Sequence, residues 1–241
     1  MDGMNLNMDS TGPTAMLGRA FSDGWRLWMR RPWMLGLLML SPILAELVIQ
    51  PIPRFGMLLS KVLAFLLVGV IWIALDQFAR SGRLDATALR ATLAKHAGAW
   101  FALMLVGLVL VFGFQVLTGR VLFGPPALEW LLLGDMTHPP QQPLALLAVI
   151  PAGAIPATLL MLAMPLALLH GMPALDAVRA SLRIVISNIG FFALYTLATM
   201  ALLLIGIVTV LGLLLVVPWL TATGYTIYRS FVADAETAML A

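Results

Sequence analysis

The sequence predicts an all-α, polytopic membrane bundle of six transmembrane helices, arranged as three hairpins that are each preceded by a cytoplasmic amphipathic helix. Three observations predict it. The 241 residues are 61% hydrophobic and 10% charged, with a mean hydropathy of +1.00, whereas soluble domains are about 45–50% apolar and about 25% charged. Asn188 to Tyr228 then runs for 41 residues without a charged side chain. As one helix it would be roughly 60 Å long at about 1.5 Å per residue, twice the about 30 Å of a bilayer's hydrocarbon core. The stretch is therefore expected to cross, turn near Gly206, Thr209 and Gly212, and cross back, because backbone amides in lipid are satisfied within helices. The third observation is charge placement. With the N-terminus in the cytoplasm, 11 of the 14 basic residues fall inside and only Arg54, Lys61 and Arg120 outside, which orients both termini to the cytoplasm.

The elements follow in order. Residues 1–13 hold Asp2 and Asp9 but no Lys or Arg, so they read as a disordered tail without a secretory leader. Thr14 is placed to cap a helix reaching Arg31. Leu17, Phe21, Trp25 and Trp28 recur along one side of it, and Arg19, Asp23, Arg26 and Arg30 along the other. Two roles are open for that helix: lying at the headgroup level with its arginines toward anionic lipid, or packing on the cytoplasmic ends of the other helices.

Trp33 to Gln50 is the first expected crossing, bent at Pro42, and Met57 to Gln77 the second. From Ser81 the pattern is amphipathic again, with Ala86, Leu89, Leu93 and Ala97 on a stripe. Trp100 to Leu117 then forms the third crossing. Thr118 to Pro143 reads as the longest exposed loop, with Trp130 anchoring an interfacial turn, and Leu144 to Leu169 as a fourth crossing kinked by Pro151, Pro156 and Pro165. Leu175 to Ser187 is amphipathic and leads into the fifth and sixth crossings, the last bent at Pro218; residues 233–241 form a short tail.

LDATALRATL from Leu84 and LDAVRASL from Leu175 match closely, and WFAL at Trp100 answers FFAL at Phe191. One domain, 14–232, is thus expected to contain repeat-like units at 14–78, 84–169 and 175–230.

Function classes narrow on the same grounds. The chain has no cysteine, which removes disulfides, thiol nucleophiles and thiolate metal sites. No basic patch interleaved with aromatics on a soluble surface points to nucleic acid. His96, His138 and His170 lack ligand spacing, and no Ser/His/Asp set or phosphate-binding glycine loop is placed, so neither an enzyme nor a metal or other cofactor is expected. Glu46 and Asp76 are the acids nearest bilayer depth, toward opposite ends of adjacent helices; Asp76 has Arg80 within pairing reach.

Two functions are carried forward. One is a non-enzymatic protein associating with membrane lipids, with a membrane-protein partner or with its own copies through Arg19, Trp25, Arg26, Trp28 and Arg30. The other is a small transporter or channel with Glu46, Gln50 and Gln115 along a polar path, for which the prolines of the fourth crossing would supply a broken helix.

Gly24-Trp25-Arg26-Leu27 running into Arg31-Pro32, the Ser181 to Asn188 lead into the fifth crossing, and the ending Pro218, Gly224-Tyr225 and Tyr228-Arg229 resemble the uncharacterised six-pass inner-membrane proteins of Gram-negative bacteria, the YciC-like group and its relatives. The resemblance covers nearly the whole chain through short motifs. It implies a multi-pass plasma-membrane protein of unassigned role and supplies no catalytic residues.

Overall fold

The computed structural model describes residues 12–52, 55–133, 149, 152–209 and 211–240, and every regular element among them is helical. Among the described residues, four helices are long and apolar enough to cross a membrane: α2 (Pro32–Ile49), α3 (Gly56–Ser81), α5 (Ala97–Phe123) and α9 (Ile189–Thr209). Between and around them lie α1 (Pro13–Met29), α4 (Ala86–Lys95), the short α6 (Pro126–Leu128) with its π turn Glu129–Leu133, α7 (Ala154–His170), α8 (Ala174–Ser187) and α10 (Leu211–Leu240). Residues 1–11, Arg54, Asp135, His138 and Pro151, with the side chain of Trp130, lie outside the described residues.

Local chemistry sets most boundaries. Pro13 opens α1 behind Gly12, so the start falls just ahead of the expected Thr14 cap; proline suits a first turn that needs no N–H. Asp85 caps α4 by accepting from Thr87 N at 2.8 Å and Ala88 N at 3.1 Å. The matching Asp176 lies inside the first turn of α8, whose N-cap is Pro173, so the shared LDA run does two different jobs. Gly82 and Gly171 end α3 and α7 with φ of +69° and +70°, a conformation that favours glycine.

α5 continues through Phe123, so Thr118 to Phe123 is helix where a loop was expected. Gly119 admits Leu131 of the π turn against that final turn, and this contact keeps the segment folded back on α5. A π segment, Leu108–Phe112, interrupts α5 between Gly107 and Gly113. The expected kink in α7 is a break at Met161–Leu162, four residues ahead of Pro165, whose ring displaces the carbonyl four residues back. Buried Ser181 of α8 supports the break, donating to Leu159 O at 2.8 Å and accepting from Leu162 N at 3.3 Å.

α9 ends at Thr209 and α10 begins at Leu211, where Gly206 and Gly212 come into close contact. The bend lies within the glycine-containing stretch the sequence marked. Backbone helix then extends to Leu240, so residues 233–240, expected as a tail, continue α10.

The core gathers Leu35 and Met39 from α2, Ile73 and Leu75 from α3, Leu162 and Leu168 from α7, Phe192 from α9, and Ile227 and Tyr228 from α10. Leu37, Leu47, Val48, Leu105, Val109, Leu197, Ile205 and Val208 instead point outward at 56–76% exposure. Large aliphatic side chains outside and hydrogen-bonded polar ones inside suit an apolar surrounding medium.

Candidate functional site

α1 has two unlike faces. Its inner face is fastened to α10 by three contacts: Trp219 Nε1 donates to Phe21 O at 2.8 Å, Thr226 Oγ1 donates to Ala20 O at 3.0 Å, and Gly24 lies directly on the backbone of Thr223. The two close approaches, Ala20 with Thr226 and Gly24 with Thr223, pair rising numbers on α1 with falling ones on α10, so the helices run antiparallel there. A β-carbon on Gly24 would fall 2.6 Å from Thr223 N and 2.7 Å from its Cα, so only glycine allows this approach.

The expected aromatic stripe divides on this geometry. Trp28, for which headgroup level and packing on the other helices were both open, is 4% exposed and belongs to the core, with Nε1 donating to Pro32 O at 3.2 Å; Leu17 and Phe21 pack on the same core. Trp28 thereby leaves the candidate surface, and the cause is simple: the groove that Gly24 and Ala20 open beside α10 takes up the apolar side of α1. Trp25 stays 41% exposed at the rim, edge-on to Trp28 and Trp219 at centroid distances of 5.1 and 5.6 Å. Arg19, Arg26 and Arg30 are exposed, Arg26 lying 3.8 Å from Asp23, and Trp33 beyond them is 86% exposed.

A second cluster joins α3, α7 and α10. Asp76 is 8% exposed; its Oδ2 meets Arg80 Nε at 2.8 Å, and its Oδ1 accepts from Tyr225 OH at 3.0 Å with Arg229 Nη1 at 3.7 Å. Alongside, His170 Nε2 and Tyr228 OH share a hydrogen bond of 2.5 Å, and Trp72 packs edge-on to Tyr228. A carboxylate accepting from a hydroxyl between two guanidinium groups has its charge and lone pairs engaged, which makes Asp76 a tie between helix ends. The i, i+4 spacing of Asp76 and Arg80 was legible in sequence. Tyr225 lies 149 residues from Asp76, and no local pattern links them.

Of the residues expected along a polar path, Glu46 and Gln50 are joined and Gln115 stands apart. Glu46 Oε1 meets Lys61 Nζ at 2.8 Å and its Oε2 accepts from Gln50 Nε2 at 3.4 Å, a group tying α2 to α3. Gln115 packs against Gly153 instead, its Nε2 2.8 Å from where a β-carbon would stand. A cavity of about 220 Å³ between α3, α5 and α7 is lined by Phe65, Val68, Trp72, Leu103, Met161 and other apolar residues, and by none of these three. Among the described residues no group of three or more His, Asp or Glu side chains is placed to hold a metal ion.

Comparison of the chain with protein-family models, with curated proteins and with solved structures found no match.

Proposed function

We propose that this is a non-enzymatic, six-pass protein of the bacterial inner membrane, with both termini cytoplasmic, that acts by associating with anionic lipid or with other envelope proteins, as the resemblance to the YciC-like group also implies. α7 and α10 supply the fourth and sixth crossings beside the four long apolar helices, and the three runs of short helix and hairpin are repeats of one ancestral unit. The observation that carries the reading is the divided surface of α1. One face is anchored in the bundle, and the other offers Arg19, Arg26 and Arg30 beside Trp25 and Trp33, a cationic ridge with aromatic flanks of the kind that binds at headgroup level. Trp28 serves this surface only by holding it in place. The ties of Glu46 to Lys61 and to Gln50 favour association over a polar conduction path.

The test combines Arg19→Gln, Arg26→Gln and Arg30→Gln in one variant. Recovery of anionic phospholipid with the purified protein, measured by mass spectrometry, is expected to fall several-fold, with partner recovery from native membranes reduced in parallel. Unchanged lipid and partner recovery would end this reading. A reporter fused after Ala241 is expected to be active in the cytoplasm; activity confined to the periplasm would remove the six-pass arrangement.

A further inference from the structure

A cavity in the bundle lies where the π segment of α5 meets the break in α7. Val111 belongs to the π segment of α5, and Leu160 and Met161 form the edge of the break in α7; all three line the void. Opposite them stand Phe65, Val68 and Trp72 of α3. A π turn widens a helix and a broken helix withdraws from its neighbour, so the two together hold apart walls that regular helices would bring into contact. Ser181 satisfies the backbone groups that the break releases. The separation is therefore built into the hydrogen bonding of α8 and does not depend on loose packing.

The lining chemistry selects the guest. About 220 Å³ greatly exceeds the roughly 10–15 Å³ that one water requires, but a water also needs two to four polar partners, which these walls do not offer. A void left empty costs its lining side chains their dispersion contacts. Ala157, exposed at the rim, and half-buried Val111 and Leu160 leave an opening, so the space is continuous with whatever surrounds the bundle. Around four helices of membrane-crossing length and hydropathy, that surrounding matter is hydrocarbon.

We infer that the cavity between α3, α5 and α7 takes up one acyl chain of a membrane phospholipid, inserted past Ala157 with its headgroup left at the bilayer surface. The site requires a membrane-embedded chain and is independent of the arginine ridge on α1.

The experiment uses the full chain in phosphatidylethanolamine–phosphatidylglycerol vesicles containing a trace of phospholipid with a diazirine near its acyl terminus. Irradiation and peptide mapping should label Met161 or Met164 inside the cavity as well as Leu105 and Val109 on the outer face of α5. Ala157→Phe should reduce the inward labels at least fivefold and leave the outward labels within twofold. Gly107→Ala places a methyl group 3.0 Å from the Phe65 ring, and should reduce inward labelling about twofold through that wall if the first variant folds poorly. Outward labels without inward ones in the unaltered protein would overturn the inference, as would inward labels that Ala157→Phe leaves intact. A diazirine fatty acid that labels the cavity where the phospholipid does not would overturn the choice of guest. The triple arginine variant should keep its inward labels, which separates failure of this site from failure of the α1 surface.

Discussion

The α1–α10 contact and the α5–α7 contact are both helix pairs in an apolar chain, yet one is closed and the other holds a cavity. Along α1 and α10, Gly24 brings backbone to backbone, and Trp219 and Thr226 donate across to carbonyls of the facing helix. Between α5 and α7 the walls of the void are apolar side chains, and the polar support comes from behind, from Ser181 on α8. In lipid the hydrophobic effect does little to press helices together, so close approach depends on small residues and on hydrogen bonds between helices. Where the sequence supplies both, the helices close; where it supplies a π segment and a proline-broken helix, space remains.

The contrast can be broken from its closed side first. Gly24→Leu drives a branched side chain into the Thr223 backbone and should cost about 3 kcal/mol, read as a large fall in the thermal midpoint of the detergent-solubilised protein. Gly18 on the same helix has nothing within 4 Å of where a β-carbon would stand, so Gly18→Leu should leave that midpoint nearly unchanged. Equal behaviour of the two variants would show that the α1–α10 approach is not tight.

Ser181→Val tests the open side, because it leaves Leu162 N and Leu159 O without their partner at a buried site. A loss of about 2 kcal/mol is expected from unsatisfied backbone groups, together with faster amide exchange in α7. Exchange in α7 that stays at its original rate would show that the break stands without α8.

Asp76→Asn should cost about 1 kcal/mol, because the side chains of Arg80 and Arg229 are 60% and 49% exposed and water screens their share of the tie. Raising salt should shrink the difference between Asp76 and its amide, and a salt-independent difference would assign the effect to the Tyr225 hydrogen bond. The smallest effect is expected at the rim. Arg26→Gln should change stability by no more than about 0.5 kcal/mol, since it removes only a 3.8 Å pair with Asp23 in which the Arg26 side chain is 78% exposed. A larger loss would mean that the ridge of α1 contributes to the fold as well as to surface charge.

The helix class, the long apolar helices, the bend between Gly206 and Gly212 and the proline break of α7 were all legible, because each follows from hydropathy or backbone chemistry within a few residues. The limits of such reading show at Trp28. Its position among the aromatics of α1 is amphipathic on either of two placements, and the pattern alone cannot distinguish a lipid headgroup from α10 as the matter it faces. Thr118 to Phe123 shows a related limit: the glycine and prolines downstream suggested a loop, but Leu131 returning onto Gly119 keeps the segment helical. At the candidate site, Arg19, Arg26 and Arg30 were visible as a charged face. Gly24 stood out only as one letter of a motif, because its role depends on Thr223, nearly 200 positions away.

By itself the sequence determined that this chain is helical and that its long segments match the thickness of a bilayer. Those properties are sums over neighbouring residues, and no distant partner is needed to compute them. Only the tertiary structure decided that Trp28 is core and Trp25 is rim, that Asp76 is tied by Tyr225 and Arg229, that Glu46 is joined to Lys61, and that a cavity opens beside the α7 break. Each of these depends on which helices become neighbours, and that is set by steric fit between residues far apart in the chain, where one missing β-carbon or one displaced carbonyl decides the contact.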